Sequence, residues 1–87
     1  MYHSKFERDH ADIIKHFINK QLEPFGKNYD WALATPNWFS RFKITEQQNR
    51  EWIDYCIDYL RKNYRMPKYR AKKEMLWFNM MWGLSIK

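Results

Sequence analysis

Hydrophobic residues recur at helical spacing in three stretches of this 87-residue chain. In the first, Phe6, His10, Ile13, Ile14, Phe17 and Ile18 fall on one face, with Ser4 as N-cap and Glu7 three residues on. Pro24 and Gly26 end that pattern by Glu23. The second stretch carries the clearest signals. Thr45 and Gln48 match a T-x-x-Q capping box, and Trp52, Ile53, Cys56, Ile57, Leu60 and Tyr64 follow at spacings of one, three and four. Its outer face pairs Glu46 with Arg50, Arg50 with Asp54 and Asp58 with Lys62 at i,i+4, a solvated surface where each pair contributes only about 0.2–0.5 kcal/mol. Pro67 breaks the helix after Met66, because the residue before a proline avoids the helical region and proline suits the first position of a new helix. The third helix then runs to about Trp82. Ala71, Met75, Phe78 and Trp82 form its inner stripe, while Leu76, Trp77, Met80 and Met81 make its C-terminal end apolar nearly all round, so one face must meet something besides the core. Gly83 reads as a C′ residue with Leu84 packing back beneath it, and residues 85–87 as a short tail.

Between the first two helices, residues 23–43 mix Pro24, Gly26, Asn28, Pro36 and Asn37 with Phe25, Tyr29, Trp31, Leu33, Trp38, Phe39 and Phe42. A connection so rich in aromatics is an ordered layer over the core, with a helical turn near residues 37–42 and a brief extended piece at 31–34. The expected architecture is all-α: a compact three-helix bundle with a long aromatic-rich ordered connection between helices 1 and 2, forming a single helical domain over residues 1–87.

Seventeen aromatics (five Trp, six Tyr, six Phe) in so short a chain exceed what one small interior hides. Some rings are therefore expected at the surface, in a homodimer or against a partner. A single cysteine, Cys56, forms no internal bridge, and the N-terminus has no export-signal pattern, so a cytoplasmic location is the default. The most apolar stretch, residues 75–82, falls far short of the roughly 20 residues needed to span a bilayer.

Charge changes the picture more. Residues 61–73 hold seven cations and no anion (Arg61, Lys62, Arg65, Lys68, Arg70, Lys72 and Lys73), whereas the other 74 residues carry nine Lys or Arg against ten Asp or Glu and sum to −1 of the net +6. A field this local orients a polyanion on one face. The run covers the end of the second helix, the turn and the start of the third, an arrangement like the helix, turn, helix of many DNA readers. Arg61, Lys62, Arg65, Lys68, Arg70, Lys72 and Lys73 are candidate phosphate contacts, and Tyr69 a group that stacks on a base or hydrogen-bonds a phosphate. The plainer alternative is a solvated corner in which Arg61, Lys62 and Arg65 complement the dipole at the end of the second helix. Cations at the start of the third helix oppose that helix's own dipole, which favours an anionic partner, either nucleic acid or an acidic protein surface. Specific helix-turn-helix recognition is not expected, because a proline and not a glycine sets the corner.

The remaining side chains carry little chemistry. Trp77, Met80, Met81 and Trp82 are core, or else a partner or homodimer surface. Trp31, Trp38 and Phe39 either extend that surface or form a lid over the helices. Glu7 and His10 have the E-x-x-H spacing of di-metal bundles, but the second such pair is missing, so no metal site is expected at His3, His10 or His16. His10 reads as a partly buried helix residue and His16 as a surface one. Cys56 sits on an apolar stripe as an inert hydrophobe. With no phosphate loop, zinc spacing or nucleophile motif, the chain reads as non-enzymatic, with no cofactor.

The segment Glu51, Trp52, Ile53, Asp54, the basic turn, and then Leu76, Trp77, Phe78, Asn79, Met80, Met81, Trp82, Gly83, Leu84 resembles short, uncharacterised proteins encoded by T4-like marine bacteriophages, over about the last forty residues. The resemblance implies a small host-directed or genome-associated accessory protein and brings no site residues with it. The sequence thus predicts a helical binding module whose basic corner contacts nucleic acid mainly through phosphates. The alternative is a protein-interaction module or homodimer using the Trp and Met surface of the third helix.

Overall fold

The computed structural model describes residues 10–86. The expected Ser4 cap, with Phe6 and Glu7, lies outside that range. Four helices are described: α1 (Ala11–Leu22), the short α2 (Tyr29–Ala34), α3 (Glu46–Tyr64) and α4 (Lys68–Trp82). The all-α expectation, with three main helices and an elaborate first connection, is what the structure has. It adds a two-residue parallel pair that periodicity did not foresee, β1 (Lys43–Ile44) with β2 (Ser85–Ile86). The chain's contacts divide into two units, the first ending at Trp38 and the second beginning at Phe39.

In the first unit, α1 buries Ile13, Phe17 and Ile18 of the expected face and Leu22 beyond it, while His10 and Ile14 are half-buried. Gln21 is buried with them, and neither amide atom has a hydrogen-bond partner among the described residues. The helix stops where Pro24 enters a 3-10 turn (Glu23–Phe25), and Gly26 at φ 69° turns the chain while its N–H donates to the Glu23 carbonyl at 3.0 Å. The stretch at 31–34, expected to be extended, is helical. Asn28 caps α2 by accepting from the Trp31 N–H at 2.9 Å, and Asn19 of α1 accepts from the Tyr29 N–H at 2.6 Å. Side-chain caps satisfy two of the short helix's free N–H groups, and local polar signals override the β-propensity of the tryptophan.

In the second unit, the capping box at the start of α3 is complete: the Gln48 N–H donates to Thr45 Oγ1 at 3.1 Å, and the Thr45 N–H donates to Gln48 Oε1 at 2.8 Å. α3 buries Asn49, Trp52, Cys56 and Leu60, and α4 buries Ala71, Met75 and Phe78. The Trp52 and Phe78 rings meet at 5.9 Å between centroids, joining the two helices through side chains whose burial contributes on the order of 2–3 kcal/mol each. Two of the three expected surface pairs form, Glu46 with Arg50 at 3.3 Å and Asp58 with Lys62 at 3.1 Å.

The end of α4 differs from expectation. Gly83 lies at φ −75° and ψ 151°, in extended backbone and not the left-handed C′ conformation, and Leu84 is buried beyond it. Residues 85–86 are not a loose tail: Ser85 pairs with Lys43 and Ile86 with Ile44. The pairing ties the chain's last described residues to the segment that leads into α3.

Candidate functional site

The basic corner is built by two helix ends. α3 terminates at Arg65, which adopts the left-handed conformation at φ 51° and, with Met66, directs its N–H at the Leu60 carbonyl. Tyr55, Tyr59 and Tyr64 pack in series along the last turns of α3, with ring centroids 6.4 and 6.2 Å apart. Met66 is buried and anchors the turn. Pro67 then precedes α4 as its N-cap rather than its first residue. Its carbonyl accepts from the Arg70 and Ala71 N–H groups at 3.1 and 2.9 Å, but there is no side-chain cap and no acid in the first turn. The N–H groups of Lys68 and Tyr69 are left pointing out of the positive end of the helix dipole.

Around that end stand all seven cations, every one exposed. Asp58 neutralises Lys62 at 3.1 Å. Among the described residues no carboxylate pairs with Arg61, Arg65, Lys68, Arg70, Lys72 or Lys73. In the first unit Asp12 is exposed, and Glu7 and Asp9 lie outside the described residues. The corner is a set of like charges held together by chain connectivity, costly in self-repulsion and suited to a multiply charged anion.

Tyr69 is 78% exposed in the middle of the cations. Of the expected partner face, Met80 is 73% exposed, whereas Trp77, Met81 and Trp82 are half-buried. Leu76, outside those four residues but part of the expected all-round apolar end, is 62% exposed. The signal for it lay in the helix period: Leu76 is seven residues from Tyr69 and opposite the buried Ala71, Met75 and Phe78. In the connection, Trp38 is buried, Phe39 exposed, and Trp31 half-buried with Lys27 Nζ 5.4 Å from its ring centroid, so these three do not act as one surface group.

Elsewhere the chemistry is sparse. An open cleft of about 400 Å³ in the first unit is lined by Lys15, Asn19, Glu23, Lys27, Tyr29 and Asp30, with charges of both signs. Cys56 is fully buried. His16 is half-buried rather than on the surface, and its pKa is lowered from the ordinary 6.5 by desolvation and secondarily by Lys20. Among the described residues, no three His, Cys, Asp or Glu side chains gather as a metal site, and no helix is long and apolar enough to cross a membrane. In comparisons with models of protein families, with curated proteins and with solved structures, nothing matches this chain, so its functional reading rests on the corner itself.

Proposed function

We propose that the chain is a small non-enzymatic binding module that holds nucleic acid at the corner between α3 and α4, mainly through phosphates. The observation that carries this reading is the N-terminus of α4, which has no side-chain cap and no acid in its first turn and is ringed by exposed Lys68, Arg70, Lys72 and Lys73. A phosphate there accepts from free backbone N–H groups, relieves the unfavourable placing of cations against the dipole, and draws Arg61 and Arg65 from across the turn. Tyr69 supplies a stacking or hydrogen-bonding group.

Five or six phosphate contacts make affinity fall with salt at a log-log slope of about −4 to −5 on duplex DNA. Fluorescence anisotropy with a labelled oligonucleotide between about 50 and 200 mM salt measures this slope. Binding indifferent to salt, or absent near physiological ionic strength, removes the reading. A second reading, a protein-interaction module on α4, has the exposure of Met80 in its favour. It predicts concentration-dependent dimers or a heterocomplex lost on Met80→Lys, which light scattering detects.

A further inference from the structure

The face of α4 opposite Ala71, Met75 and Phe78 carries Tyr69, Lys73, Leu76 and Met80 in one row, at i, i+4, i+7 and i+11, all exposed. The row is about 16 Å long, room for a few nucleotides. Lys68 and Lys72, four residues apart, form a second row directly beside it. Phosphate binding at the helix end uses the lysines and leaves Leu76 and Met80 without a purpose.

We infer that the polyanion is single-stranded nucleic acid, its phosphates following the lysines while its unstacked bases lie on Tyr69, Leu76 and Met80; this rests on the phosphate-binding reading above and narrows it. A duplex turns its base faces inward and offers phosphates, sugars and groove edges, so the three apolar side chains stay in water against it. A single strand exposes a flat apolar face at every base, and covering that face is the sequence-tolerant gain that strand-binding proteins use. An anionic membrane also combines charge with apolar matter, but it calls for a continuous apolar face pressed into the acyl boundary. Here Lys73 interrupts the row between Tyr69 and Leu76. That alternation of cation and apolar group follows the alternation of phosphate and base along a strand. A second copy docked on this face would set Lys72 and Lys73 against the same charges.

The test compares the full chain with a labelled oligothymidine of about 20 nucleotides and a mixed-sequence duplex of the same length, and with phosphatidylserine-containing vesicles. The expected result is tighter binding to the single strand, weakened roughly tenfold or more by Tyr69→Ala and further by Leu76→Ser with Met80→Ser. Duplex binding should change by less than about twofold in the Leu76→Ser, Met80→Ser variant, because neither side chain offers phosphates a charge or a hydrogen bond. Tyr69→Phe should retain most of the single-strand affinity. All three side chains changed are exposed, and circular dichroism checks that each variant folds. Equal binding to strand and duplex, with Tyr69→Ala altering neither, overturns the single-strand inference while leaving phosphate binding in place. Failure to bind either nucleic acid overturns both. Vesicle binding stronger than strand binding, and lost on Leu76→Ser, assigns the face to a lipid surface instead.

Discussion

Arg65 ends α3 in the left-handed region, where a side chain with a Cβ costs about 1–2 kcal/mol relative to glycine. Its charge favours the helix C-terminus by about 0.3–1 kcal/mol, a gain that salt screens, and Arg61 and Lys62 already occupy the last turn. The conformational cost is the larger of the two. Arg65→Gly should therefore raise stability by about 0.5–1 kcal/mol in urea unfolding, more at high salt than at low, while weakening binding at the corner. His16 behaves in the opposite sense to a salt-bridged histidine. Burial and Lys20 disfavour its charged form in the folded chain, so the unfolded chain binds the proton more readily. The stabilisation of the neutral ring is present above pH 6.5 and is lost as the pH falls through that value towards the depressed folded pKa. Unfolding free energy measured from pH 7.5 to about 5 should decline with a component that His16→Gln removes.

At the scale of elements, the two glycines terminate helices for different reasons. Gly26 is needed for its φ of 69°, since a Cβ there would meet nothing within 4 Å. Gly83 is needed for its lack of volume. Its backbone suits any residue, but a Cβ would run into the carbonyl and side-chain oxygens of Asn79, and that carbonyl already accepts the Gly83 N–H at 2.9 Å. Gly83→Ala should cost about 1–3 kcal/mol by thermal or urea unfolding, and Asn79→Ala should not restore it, because the carbonyl remains. The sequence locates this helix end without revealing its kind. A glycine after an apolar run marks a stop, whereas the path taken afterwards depends on β2 finding β1, a pairing some forty residues away along the chain. The capping box of Thr45 and Gln48 was fully legible for the converse reason: its partners are three residues apart, and its geometry is set by local backbone alone. Likewise α2 stands where spacing suggests an extended piece at 31–34, because it is only six residues long and is held by Asn19 from a different helix.

At the scale of the whole molecule, the corner concentrates charge that folding does not require. Replacing Lys68, Arg70, Lys72 and Lys73 together by Gln lowers the net charge from +6 to +2. These cations lie at the wrong end of α4 for its dipole and repel one another, so the melting temperature should hold or rise. Binding should weaken sharply, with the salt slope falling in magnitude by about 3 to 4. A drop in melting temperature with unchanged binding would show instead that these side chains serve packing.

What the sequence alone determined was whatever depends on neighbours a few residues away: helix periods, the capping box, the break at Pro67 and the accumulation of cations on both sides of it. Spacing also placed Ala71, Met75 and Phe78 on the inner face, because burial follows the 3.6-residue repeat. Only the tertiary structure decided that Trp77, Met81 and Trp82 are half-buried, because how far an apolar helix end is covered depends on the elements that pack against it. It likewise decided that Trp38 is interior and that residues 85–86 join β1, because burial and strand pairing depend on distant partners whose meeting no local pattern encodes.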